Sequence, residues 1–182
     1  MAENSSEVIR RYLEDAIAAE KSFETQLRGF ATEGDDEEVR SAFATHAEET
    51  KLQYHRLTLR LEELGGSPSG VKSLLAHVFG LSPKAIQVTQ TPDERVTQNL
   101  IAAFAVESSE CAMYEALASV AQAAGDAQTE RLARAIQSEE RKSAEIFWRF
   151  IPSRAKIAFN VVTAGETDPS ISTKATSNRV IS

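Results

Sequence analysis

At 182 residues, with 42% hydrophobic and 26% charged residues, the chain has the length and balance of one globular domain with at most a tail. A net charge of −7 argues against nucleic acid as a partner, and the stretch after Ile151, with four cations against two acids, leaves the body more acidic still. A single cysteine excludes an internal disulfide, no apolar run approaches the ~20 residues of a membrane span, and residues 1–4 do not read as a signal peptide, so the chain reads as cytoplasmic.

Ala, Glu, Leu, Gln and Arg dominate, and β-branched clusters are rare before Val161, which predicts an all-α fold. The first helix is expected near 6–30, capped by Ser5 or Ser6, with the stripe Ile9, Tyr12, Leu13, Ala16, Glu20, Phe23 and Leu27. The run Gly34-Asp35-Asp36 makes a turn short enough for an antiparallel neighbour. The second helix, near 36–64, stops at Gly65-Gly66, and its inward face reads Phe43, His46, Glu49 or Thr50, Gln53, Leu57, Leu61. Leu52, Leu59 and Leu64 widen its apolar surface and suit a subunit contact.

Residues 67–91 form a long link with one short helical piece at 71–79, which lets the chain cross the bundle before its third helix. His77, on this link, reads as an incidental histidine. Thr91-Pro92-Asp93-Glu94 has the form of a capping box opening the third helix, near 92–124. Asp126 caps a fourth, near 127–151, with Leu132, Ile136, Glu139 or Glu140, Ser143, Ile146, Phe147 and Phe150 before Pro152 halts it. The expected organisation is therefore a four-helix bundle over 1–152 and a tail over 153–182, of which 155–159 extends briefly along the bundle.

Each helix carries an acid on the face that should be buried: Glu20, Glu49, Glu107 with Glu110, and Glu139 or Glu140. His46 adds an imidazole. A buried ionised carboxylate costs several kcal/mol unless it is paired, protonated or bound to a cation. Any one of these acids alone suits a solvated helix face; the coincidence at matching depth on all four favours a metal. Two divalent cations would balance much of the charge of five gathered carboxylates, and the donor set suits iron or manganese, with zinc as a competitor. The expected ligands are Glu20, His46, Glu49, Glu107, Glu110 and Glu140, with Glu139 as the substitute for Glu140. Glu20 and His46 would be terminal; Glu49 and a glutamate of the last two helices would bridge. The ferritin-like plan supplies a Glu from two helices and Glu-x-x-His from the other two, whereas here neither Glu49 nor Glu140 is followed by histidine at the third place. The alternative is a metal-free bundle that works by self-association or partner binding.

The run His46-Ala47-Glu48-Glu49-Thr50 with Gln53, Arg56 and Leu57 resembles the second-helix signature of the bacterial YciF/YciE-type ferritin-like proteins. Glu107-Ser108-Ser109-Glu110 with Tyr114 resembles their third-helix motif, Glu139-Glu140 their fourth-helix acidic pair, and 64–81 their crossover with its short helix. The resemblance covers about residues 8–151. It implies a ferritin-like bundle, usually dimeric, associated with stress and holding a dinuclear metal site. A histidine commonly follows the third-helix glutamate in that family, and Ser108 stands there instead. A site of this kind would oxidise Fe(II) or reduce peroxide.

Overall fold

Four helices account for most of residues 4–67 and 91–167, which the computed structural model of the chain describes, and no strand occurs among them. They are α1 (Ser5–Phe30), α2 (Glu37–Glu63), α3 (Pro92–Ala123) and α4 (Ala127–Thr167). The expected all-α bundle is the fold. The short helix at 71–79 and His77 lie outside the described residues.

The helix ends follow from local chemistry. Asn4, not Ser5 or Ser6, caps α1: its side chain accepts from the Ser6 N–H, and Glu7 accepts from the Asn4 N–H at 3.2 Å. Both serines are thereby drawn into the first turn. Asp36 accepts from the Val39 N–H at 3.0 Å, and Thr91 and Glu94 form the predicted capping box. At the end of α2 the Gly66 N–H donates to Leu61 O and the Gly65 N–H to Glu62 O, a Schellman motif that needs the left-handed φ of 75° at Gly65. Gly34, with φ 73°, closes the α1–α2 turn where a Cβ would meet Val96 Cγ2 at 2.3 Å. That site admits only glycine without displacing α3.

The Gly34 contact also fixes the topology. The start of α3 lies beside the α1–α2 turn, and Asn99 Nδ2 donates to Glu33 at 2.9 Å. The end of α2 lies instead beside the α3–α4 turn, where Arg60 meets Asp126. Helices α2 and α3 therefore run parallel, and the link between them must travel the bundle's length, about 40 Å for a helix of this size. The predicted crossover follows from that geometry.

Arg60 clamps this end. Its guanidinium donates to both Asp126 oxygens at 2.8 and 2.9 Å and to Thr129 Oγ1 at 2.8 Å, while Asp126 accepts the Thr129 N–H at 3.0 Å. Burial raises the Asp126 pKa, but the Thr129 and Arg60 bonds outweigh it and hold the carboxyl below its ordinary range. Arg60→Ala would leave that acid without its cation in a mostly buried place, and should cost about 2 kcal/mol in urea unfolding. A change under a few tenths would mean that water replaces the guanidinium.

Helix α4 does not stop at Pro152; it continues to Thr167 with the proline inside it. A mid-helix proline removes one backbone donor and crowds the carbonyl four residues earlier. Tertiary contacts beyond it hold the extension: Arg154 pairs with Asp36, and Ala158 is buried. Packing overrides the local signal.

The core lies in two apolar layers. One gathers Ile9, Leu13, Leu57, Leu61, Leu117 and Ile136; the other gathers Phe23, Leu27, Phe43, Leu100 and Phe147. Each fully buried Leu or Phe contributes about 2 kcal/mol. Between the layers every helix turns polar at once.

Candidate metal centre

Glu20, Glu107 and Glu140 are fully buried, Glu110 and His46 nearly so. Each sits mid-helix on a core-facing stripe, between apolar residues one or two turns to either side. The structure thus brings five of the six expected residues into the interior layer between the two apolar cores.

His46, Glu107 and Glu140 form its tightest group, with one donor atom from each lying within 4.8 Å of the others. His46 Nε2 is 2.5 Å from Glu107 Oε1 and 3.7 Å from Glu140 Oε2, and neither contact has hydrogen-bond geometry. On the far side of the ring, Nδ1 lies 3.2 Å from Glu49 Oε2 and 3.0 Å from Ser143 Oγ. The rings of Phe23 and Phe147 pack edge-on against the imidazole, with centroids at 5.9 and 5.6 Å, and fix its plane. A carboxylate accepts only, so Nδ1–H donates to Glu49 and the Nε2 lone pair faces Glu107 and Glu140.

Glu49 itself is not in the layer. Its side chain is 54% exposed, and Thr50, at the neighbouring position, takes the core place. The period allowed either residue. Thr50 carries no charge and is the cheaper one to bury. Glu49 reaches the site through His46 instead.

The choice between Glu139 and Glu140 is resolved by Arg56. Glu139 leaves the core to accept from Arg56 Nη1 at 3.0 Å and Gln53 Nε2 at 3.2 Å, and Arg56 Nη2 closes the pair. Burial pushes Glu139 up, but the Arg56 bonds outweigh it and hold the carboxyl below its ordinary range. Glu140 stays inside.

The Tyr114 hydroxyl donates to one Glu20 oxygen, so this tyrosine is a core aromatic with a bonded hydroxyl. The other Glu20 oxygen, both oxygens of Glu107, Glu110 and Glu140, and His46 Nε2 have no hydrogen-bond partner. Burial accordingly raises every one of these carboxyls above the ordinary 4.5: Glu107 to about 8, Glu140 to about 10, and Glu20 and Glu110 well upward. After burial, the charge of neighbouring Glu140 raises Glu20, and that of Glu20 raises Glu110, so these acids share one electrostatic environment.

The face of α3 is turned slightly from the one the sequence suggests. Phe104 and Cys111 are only partly buried, while Ala103, Glu107, Glu110 and Tyr114 point inward. Cys111 is a free thiol whose pKa burial raises, the behaviour of a small hydrophobe and not of a nucleophile. The Arg56–Glu139 pair was not foreseen as a unit. Its signal was available, since Arg56 follows the inward Gln53 by three residues and so shares its side of α2.

A four-helix bundle with parallel second and third helices, a lengthwise crossover and a buried carboxylate–imidazole layer is a ferritin-like protein. Within that class the chain belongs to the family described as "Domain of unknown function (DUF892)", whose model matches residues 4–158. The crystal structure of a protein from Xanthomonas campestris pv. campestris superposes with a TM-score of 0.73 at 25% identity, covering 87% of this chain and 98% of that one. The E. coli stress protein YciF gives 0.74 at 23%, over 85% of this chain and 99% of its own. A Dps protein from Vibrio cholerae, "a member of a broad superfamily of ferritin-like diiron-carboxylate proteins", gives 0.62 at 18%, over 81% and 91%. The YciF-type resemblance in the sequence holds. None of the curated proteins compared with the chain matches it. Among the described residues, no helix is long and apolar enough to cross a membrane.

Proposed function

We propose that the chain is a metal-binding ferritin-like protein whose centre is built from His46, Glu107 and Glu140, with Glu20 and Glu110 completing the anionic layer. The observation that carries this reading is the set of buried carboxylate oxygens and the imidazole nitrogen that face one another without hydrogen-bond partners. A purely structural polar cluster pairs its donors with its acceptors, because each unmet group costs about 1–3 kcal/mol. Here acceptors face acceptors, as a set of cation ligands must.

His46, Glu107 and Glu140 would hold the ion; His46 is oriented by Glu49 and Ser143, and Glu20 by Tyr114. Iron or manganese bound there would supply one-electron redox chemistry toward oxygen or peroxide. Phe23 and Phe147 keep bulk water from the imidazole. Glu49, exposed at one end of its hydrogen bond and joined to buried His46 at the other, links the layer to solvent and can pass a proton to Nδ1. The activity we assign is oxidation of Fe(II) by oxygen or peroxide, protective under stress, as the name of E. coli YciF suggests.

The test uses protein purified without chelator, stripped, and titrated with Mn(II) and, anaerobically, Fe(II). Micromolar binding and a rise in melting temperature are expected, with about 2.7 kcal/mol of added stability at metal one hundred times Kd. Peroxide added to the Fe(II) form should then be consumed. If neither metal binds at micromolar concentration, the metal-free reading takes over. Function would then rest on apolar surface such as Leu52, Leu59 and Trp148, 62, 61 and 57% exposed.

A further inference from the structure

The ferritin-like plan for two ions needs a Glu-x-x-His pair on each of two helices, one pair for each ion. On α4 the corresponding pair is Glu140 and Ser143, and the missing imidazole is recovered from α2, because His46 lies against Ser143 at 3.0 Å. One ion's donor set is thereby complete. On α2 the inward pair at the same spacing, level with the other half of the layer, is Gln53 and Arg56. Gln53 is fully buried and bonded to Glu139 on α4; Arg56 reaches the same carboxylate with its Nε buried.

We infer that this bundle holds one metal ion and not two, because Gln53 and Arg56 occupy the places on α2 where a second ion would require a carboxylate and an imidazole. The inference rests on the metal-binding reading above. A neutral amide oxygen adds a donor but no charge. A guanidinium never gives up its proton and has no lone pair to offer. It also repels a dication brought into the same half of the layer. The acid available there, Glu20, already accepts the Tyr114 hydroxyl, and the Arg56 charge acts directly on both of those residues. On the other side the charges close without a second ion: one dication matches Glu107 and Glu140, and Arg56 matches Glu139. The two divalent cations expected from five gathered carboxylates thus become one, since Glu49 and Glu139 have left the layer and Arg56 has joined its edge.

The probe is Mn(II), bound to full-length protein and read by titration calorimetry and by electron paramagnetic resonance. Wild type should bind one ion per chain, with a six-line signal whose spin count equals the manganese bound. Gln53→Glu with Arg56→His should bind two, and the signal per manganese should fall as neighbouring ions couple. Arg56→Gln, which keeps polar character and most of the length, guards against loss of the fold; it should bind its single ion about fivefold more tightly, by losing a repulsive charge. Circular dichroism checks the helices of each variant. Two ions in wild type would overturn the inference while leaving the metal centre intact. A double variant that still binds one, or an Arg56→Gln affinity no higher than wild type, would also overturn it. No binding to wild type would remove the metal centre itself, and this inference with it.

Discussion

Glu107→Gln should weaken Mn(II) binding by at least about 100-fold while leaving the stripped protein no less stable than wild type. The two halves of that expectation have one cause. Glu107 is fully buried, its oxygens have no hydrogen-bond partner, and one lies 2.5 Å from His46 Nε2. Without a cation this is an uncompensated acid, so a neutral amide of the same shape removes a cost. With a cation it is a charged ligand, and loss of even a group that only orients a ligand typically costs 10- to 100-fold, flagged here as about the lower bound for a direct one. Calorimetry gives the affinity, and urea unfolding in chelator gives the stability. A structural role would move the two measurements the other way: unchanged binding with a less stable fold. That result would remove Glu107 from the centre.

How much of this was legible in the chain depends on what kind of signal each feature leaves. Helix number, caps and turns are local. Asp36, Thr91 with Glu94, and Gly65 act through bonds a few residues long, and their sequence signatures became the observed ends. The buried acids were legible because a charged residue inside a 3.6-residue stripe is costly wherever the helix packs. Rotation within a turn was not. Glu49 against Thr50 and Glu139 against Glu140 differ by one step of about 100°, and only a partner on another helix chooses between them. For Glu139 the partner is Arg56, 83 residues away along the chain. The Pro152 stop failed for the same reason, since Asp36 is what holds Arg154 beyond it. In each miss a tertiary contact overrode or completed a local preference.

Stripped protein should be most stable near pH 5 and lose stability as the pH rises toward 8, the reverse of an ordinary acid-sensitive domain. The buried carboxyls have folded-state pKa values raised from 4.5, to about 8 for Glu107 and about 10 for Glu140. Above pH 4.5 the unfolded chain releases these protons while the folded chain keeps them. The unfolded state then binds fewer protons, so the unfolding free energy falls with pH through that window. Their contribution is fully present below the unfolded value and is lost as pH climbs through the folded ones. Asp126 and Glu139 work in the opposite direction, because their folded values are depressed; what they add is lost only below the ordinary carboxylate range, outside this window. Each proton held across the window is worth about 1.4 kcal/mol per pH unit at the limit, and a net fall of at least about 2 kcal/mol between pH 5 and 8 is expected after discounting for relaxation. Metal should invert the slope. An ion needs deprotonated ligands and competes with those same protons, so saturating Mn(II) should stabilise the fold more at pH 8 than at pH 5. Urea unfolding at both pH values, with chelator and with Mn(II), gives the four measurements. A stripped protein equally stable at both would mean that the carboxylates are ionised and hydrated in the fold, and a metal effect independent of pH would place the ion on some other set of ligands.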